Sequence, residues 1–168
     1  MQEIKPLQEI PTQSKSFTVF LSGSIEMGTA ADWQADLVNE LKDVPNLVLL
    51  NPRRDDWDSS WEQSIDNSQF REQVEWELHG MELADAVVFY FVPYTKSPIT
   101  LLELGLTAHS KSNAAVCCPE GFWRKGNVDI VCRRYGINMV SSLVVLADWV
   151  RESQDDWTTA MKQVIDHG

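Results

Sequence analysis

Apolar residues fall into short continuous runs separated by stretches with helical spacing. Phe17-Thr-Val-Phe-Leu-Ser22, Leu47-Val-Leu-Leu50, Ala86-Val-Val-Phe-Tyr-Phe-Val92, Ala114-Ala-Val-Cys-Cys118 and Ile137-Asn-Met-Val140 each read as a strand. The run over 86–92 is the strongest, and its continuous apolarity predicts a central position in a sheet. Between the strands, Trp33, Leu37, Val38 and Leu41 recur at helical intervals, as do Phe70, Val74, Leu78 and Met81. Asn67 or Ser68 suits the cap of the second of these helices. A third helix starts within 101–106, and two more are predicted over 143–150 and 155–165. Residues 1–15 are polar, contain Pro6 and Pro11 and show no sustained period. They read as a flexible, loosely attached tail before a single domain over 16–168.

Buried strands that alternate with amphipathic helices imply a parallel sheet covered on both faces. Right-handed crossovers then bring every strand-to-helix loop to one edge of that sheet, where ligands bind in such folds. The loops at 22–30, 51–66, 93–100 and 119–127 should converge there, and the chemistry should be sought among them.

Composition narrows the field. In 168 residues, 43% hydrophobic and 23% charged, there is material for one sizeable core. A net charge of −11 argues against nucleic acid or an anionic membrane as partner. Arg53-Arg54, Arg124-Lys125 and Arg133-Arg134 are local basic spots suited either to a phosphate or to surface ion pairs with nearby acids. The three cysteines, Cys117, Cys118 and Cys132, fit neither a disulfide framework nor a metal spacing. Cys117 and Cys118 should point to opposite faces of one strand. With no signal peptide and no apolar run near 18 residues, a cytoplasmic location is expected.

Glu103 is the first candidate for chemistry, an acid among leucines just inside the helix that follows the central strand. The helix dipole there would hold a carboxylate ionised, as a nucleophile or base requires, or the residue simply stabilises its helix. Glu77 is the second, near the end of a helix that also carries Glu72, Glu75 and Glu82, so spacing alone does not separate it from a solvated face. The Gly23-Ser24 turn offers backbone N–H groups to an oxygen-rich ligand, although it is neither GxGxxG nor a P-loop. His79 and His109 have no partner at metal-ligand spacing, and neither a metal nor a cofactor is expected. Trp57 and Trp61 suit stacking on an aromatic ligand and suit packing equally well.

Four segments taken together resemble the nucleoside 2-deoxyribosyltransferase superfamily, which includes the deoxynucleoside 5′-monophosphate N-glycosidases. They are Phe20-Leu-Ser-Gly-Ser-Ile25, Glu77 eight residues before Asp85, the strand 86–91, and Leu102-Glu-Leu-Gly105. The Ser22–Gly28 stretch, the Asn51-Pro-Arg-Arg-Asp-Asp-Trp-Asp58 loop and Lys96–Gly105 look most like its deoxyribosyltransferase-like branch. The resemblance covers about residues 17–145. It implies that Glu103 attacks the anomeric carbon of a sugar and that Glu77 protonates or orients the base. At the position where the transferases carry a sugar-binding Asp and the nucleotide hydrolases a phosphate-binding Ser, this chain has Ser97. Where the family often has a Tyr touching the nucleophile, it has Phe20, which cannot donate a hydrogen bond. Glu103 must then be oriented by another group, such as Ser22, Ser24 or Tyr94, or the chemistry has drifted.

Pattern and resemblance together imply an α/β, flavodoxin- or Rossmann-like three-layer fold with a five-stranded parallel sheet. They imply cleavage or exchange of the N-glycosidic bond of a nucleoside or nucleoside 5′-monophosphate. The catalytic residues would be Glu103 and Glu77, and the substrate-binding residues Phe20, Gly23, Ser24, Asn51, Arg53, Arg54, Trp57 and Ser97. The partner would be a small nucleoside or nucleotide, and the assembly a homo-oligomer. The competing readings are a catalytically quiet nucleotide-sensing module and a glycohydrolase acting on NAD or ADP-ribose derivatives.

Overall fold

The computed structural model describes residues 1–11, 15–26, 30–54, 60–110 and 113–166. In chain order the elements are β1 (Gln2–Ile4), β2 (Phe17–Gly23), α1 (Trp33–Leu41), β3 (Leu47–Leu50), α2 (Ser68–Leu83), β4 (Ala86–Tyr90), α3 (Pro98–Ser110), β5 (Ala114–Cys117), α4 (Lys125–Tyr135), β6 (Asn138–Val140) and α5 (Leu143–Asp166). The sheet has six strands in the order β1-β3-β2-β4-β5-β6, and every pairing is parallel. The expected parallel α/β architecture is therefore present, with one strand more than the five expected.

The additional strand comes from the segment read as a loose tail. Gln2, Glu3 and Ile4 pair with Val48, Leu49 and Leu50. Asn51 completes the edge: its N–H donates to Ile4 O at 2.9 Å and its Nδ2 to Glu3 Oε1 at 2.7 Å. Three residues are too few to show a period, and the partners that hold them lie nearly fifty positions away.

Strand alternation divides the core into two layers. Phe20, Val48, Leu50, Val87, Phe89 and Val116 point to one side, where they meet Trp76 and Met81 of α2, Leu104 of α3, and Val128 and Cys132 of α4. Val19, Leu21, Leu49, Val88 and Ala115 point to the other, against Trp33 and Leu37 of α1 and Leu146 and Val150 of α5. Cys117 and Cys118 fall in opposite layers, as strand geometry requires.

Two helical expectations need correction. No helix was expected over 125–135, because Gly126 and a thin apolar pattern hide α4. Only Val128 and Cys132, one turn apart, are buried on it, and Gly136 in the left-handed region (φ 68°) closes it. The two helices expected after 143 are one, α5. Between them Glu152 is exposed, Arg151 and Ser153 are half-buried, and Gln154 is buried, donating from Nε2 to Pro45 O at 2.6 Å and Asn46 O at 3.1 Å.

The chain leaves β2 toward β3 and β1 on one side and returns to β4, β5 and β6 on the other. Helices on opposite faces of the sheet thus diverge between the carboxyl ends of β2 and β4, the crevice where ligands bind in open α/β sheets.

Candidate active site

Phe20 and Ser22 lie on the same face of β2, two residues apart, toward the α2–α3 layer. The Phe20 ring is fully buried, and Gly80 of α2 lets it approach closely, since a Cβ there would lie 3.1 Å from the ring. It also meets the Trp76 ring at 6.4 Å between centroids. Phe20 is thus core packing. Two residues on, Ser22 Oγ donates to Glu103 Oε2 at 2.5 Å. Of the three groups considered for orienting Glu103 in the absence of a tyrosine hydroxyl, Ser22 is in place. Tyr94 is 91% exposed, and Ser24 bonds elsewhere.

Glu103 is buried at 8% exposure in the second turn of α3. Its ionisation runs opposite to the expectation from the helix dipole. Burial pushes the carboxyl from 4.5 up to about 8, repulsion from Glu77 adds to the rise, and the Ser22 hydrogen bond opposes it. The dipole fades beyond the first turn, so desolvation wins.

Glu77 of α2 is likewise raised, to about 7, by burial, against a hydrogen bond from Gln73. Gln73 lies four residues earlier on the same helix face and is 3% exposed. Its Nε2 donates to Glu77 Oε1 at 2.7 Å and to Pro52 O at 3.1 Å, while its buried Oε1 has no partner among the described residues. The fold therefore brings the two sequence-predicted acids close enough to repel each other, with Glu103 buried and Glu77 half-buried. Gln73 was missed, although a glutamine one turn before a candidate acid is a readable signal.

The other expected site residues divide by what they touch. Gly23 is demanded by packing, because a Cβ would collide with the Trp33 indole and lie 2.6 Å from Tyr90 O. The Ser24 N–H donates to Tyr90 O, and the Trp33 indole N–H to Ser24 O. The Ser24 hydroxyl meets Ser97 Oγ at 2.6 Å and Thr95 Oγ1 at 3.0 Å and accepts from the Val92 N–H at 2.9 Å. Asn51 anchors β1 and accepts from the Arg53 N–H at 3.0 Å. Arg53 turns to the start of α1, donating to Ala30 O at 3.0 Å and Ala31 O at 3.4 Å beside Asp32 at 3.5 Å. The Arg54 guanidinium lies 5.2 Å from the centroid of the Trp61 ring. Trp57 lies outside the described residues.

Ser97 opens α3 next to Glu26, a residue the sequence did not single out. Glu26 Oε1 accepts from the N–H groups of Ser97 at 2.6 Å and Lys96 at 3.0 Å. Glu26 (φ 48°), Tyr94 (φ 65°) and Ser97 (φ 44°) all occupy the left-handed region without being glycine.

An apolar groove of about 330 Å³ lies between α3 and α4, lined by Leu101, Leu104, Gly105, Trp123, Val128 and Val131 among others. Helical spacing puts Leu101 and Gly105 on the side of α3 away from Glu103, and neither Glu77 nor Glu103 lines the groove. Among the described residues no group of three or more His, Cys, Asp or Glu is placed to hold a metal ion. Nor is any described helix long and apolar enough to cross a membrane.

Comparison with solved structures finds a conserved protein from Enterococcus faecalis V583, 11% identical, with a TM-score of 0.59 over 82% of this chain and 98% of that one. At that identity the likeness speaks for the fold. Comparison with curated proteins gives no match. The sequence pattern of the family described as nucleoside 2-deoxyribosyltransferase like matches residues 16–122, which include β2, Glu77 and Glu103. That span is more than half of the chain, and the protein belongs to the nucleoside 2-deoxyribosyltransferase-like family.

Proposed function

We propose that the protein cleaves or exchanges the N-glycosidic bond of a nucleoside, with Glu103 as nucleophile and Glu77 as the acid that serves the base. Family membership supports nucleoside glycosyl transfer as the reaction class. The observation that carries the assignment of residues is the buried Ser22–Glu103 hydrogen bond facing a second raised acid, Glu77.

In the first half-reaction Glu103 Oε attacks the anomeric carbon, the C–N bond breaks, and the base leaves with its electron pair and a proton from Glu77. In the second, water or another base attacks the same carbon, Glu103 departs as carboxylate, and Glu77 takes a proton back. Water completes a hydrolysis, and a base completes a transfer.

The pair must then hold one proton. Glu103, raised to about 8, is a weaker acid than Glu77, raised to about 7, the reverse of the order the attack needs. Two considerations restore it. The Ser22 hydroxyl favours the ionised form of Glu103, and positive charge developing on the sugar favours it further. Coupled carboxyls this close in affinity share their titration, so the proton can reside on Glu77 at little cost. The lack of a hydroxyl at Phe20 is the feature that favours a quiet sensing module, and Ser22 supplies a hydroxyl to the same carboxylate.

The test is incubation with a panel of nucleosides, nucleoside 5′-monophosphates and NAD, following release of free base by chromatography. Release from nucleosides by the native protein, lost in Glu103→Gln, is the expected result. Release from NAD alone would move the protein to the glycohydrolase reading. Tight binding without release would move it to the sensing module.

A further inference from the structure

Gln73 brings an unanswered polar atom to the paired acids. Its side chain is 3% exposed, and its Oε1 is sealed from water with no hydrogen-bond partner among the described residues. A buried acceptor in that condition is costly, and native folds rarely keep one without a ligand or an ordered water to answer it. The amide cannot flip to cure the defect. Pro52 O, at 3.1 Å, only accepts, so the nitrogen must face it. Pro52 lies two residues beyond the end of β3, which places the Gln73 amide at the carboxyl edge of the sheet, where ligands bind in this architecture.

The same amide fixes the proton on Glu77. Nε2 donates to Glu77 Oε1 at 2.7 Å, so a neutral Glu77 carries its proton on Oε2. A carboxyl O–H donor and an amide oxygen acceptor thus stand as neighbours, one turn apart on α2. The pair is complementary to a ring nitrogen flanked by an amino group, the N7 and N6 edge of adenine or the N3 and N4 edge of cytosine. A 6-oxo purine or a 4-oxo pyrimidine would set a second acceptor against Oε1.

We propose that Gln73 selects the base: Glu77 serves the ring nitrogen, Gln73 Oε1 accepts from the neighbouring amino group, and aminated bases are taken in preference to their oxo counterparts. The inference rests on the N-glycosidic reading above and names its substrate class.

Calorimetry on the full chain with free bases tests it without any need for cleavage. At pH 6 Glu77, raised to about 7, keeps its proton. The probes are adenine, hypoxanthine and purine, the last with neither group at position 6. The native protein should bind adenine most tightly, purine next and hypoxanthine least. The first and last should differ by roughly 10- to 100-fold, the scale of one mismatched base edge. Gln73→Met keeps the length of the side chain without its amide, and should bind adenine and hypoxanthine alike. The comparison with purine needs no variant, so it decides the matter even if Gln73→Met does not fold. Hypoxanthine bound as tightly as adenine by the native protein, binding of no base, or a preference that survives in Gln73→Met would overturn the inference. An equal loss for all three bases in Gln73→Met would do the same, since it would leave Gln73 as a tie between α2 and the Pro52 carbonyl. Base selectivity is read here and base release in the chromatographic assay, so the two readings can fail separately.

Discussion

Replacing Glu103 with glutamine should cost activity and add stability, and the second effect can be calculated from the structure. Glu103 is buried, and its carboxyl is raised from 4.5 to about 8. A carboxyl raised on folding contributes stability that is fully present below the unfolded value and is lost as pH rises through the folded value. The window runs from about pH 4.5 to about pH 8. At 1.36 kcal/mol per tenfold change in the protonation constant, the rise sets a ceiling of roughly 5 kcal/mol. Part of this is repulsion from Glu77, and an ionised carboxylate draws in water, so about 2 kcal/mol is the better figure. For a chain of this size that is ~4–8 °C in Tm. Glutamine keeps the shape and an acceptor for Ser22 and never ionises. Melting curves at low ionic strength should therefore nearly coincide at pH 5, while at pH 9 Glu103→Gln should melt ~4–8 °C above the native protein. A difference between the two proteins that is the same at pH 5 and pH 9 would refute the reasoning, because Glu103 would then titrate as an ordinary surface acid.

Turnover should peak between about pH 7 and about pH 8, where the coupled pair holds one proton, and fall on both sides; a flat profile would separate the pair from the chemistry. Glu77→Gln should abolish the alkaline limb and impair substrates with poor leaving groups far more than activated ones, and equal losses would make Glu77 structural. Ser22→Ala should lower kcat ~10-fold and move the acidic limb upward, since the hydrogen bond that favours ionised Glu103 is gone. Gly23→Ala should destabilise by about 2 kcal/mol, read as a fall in denaturant midpoint, because the added Cβ meets both the Trp33 ring and Tyr90 O.

Residues whose neighbours are dictated by period were legible in the sequence. The strands over 47–50 and 86–90 and the helix over 68–83 follow from apolar spacing, and parallel topology then fixes which loops converge. Glu103 and Glu77 could be named as candidates because motif positions map onto those elements. Residues defined by distant partners were not legible. Glu26 meets Ser97 across 71 positions, and β1 meets β3 across 46, with no local pattern announcing either. The dipole argument for an ionised Glu103 failed for a related reason: the sequence shows the helix but not the depth of burial, and burial is the larger effect. Phe20 illustrates the converse. Its missing hydroxyl leaves Ser22, Ser24 and Tyr94 as alternatives in the sequence, and only the fold shows that Ser22, on the same face of β2, is the one bonded to Glu103.

The central claim, that Glu103 forms a bond to the sugar, is tested most directly by rapid quenching. The native protein would be mixed with the nucleoside it cleaves fastest, quenched within the first turnovers, digested and weighed by mass spectrometry. The account predicts a pentosyl adduct on the peptide containing Leu102-Glu-Leu-Gly105, absent from Glu103→Gln and lost when the native protein is left to turn over. Base release with no adduct at any quench time, and undiminished in Glu103→Gln, would contradict it.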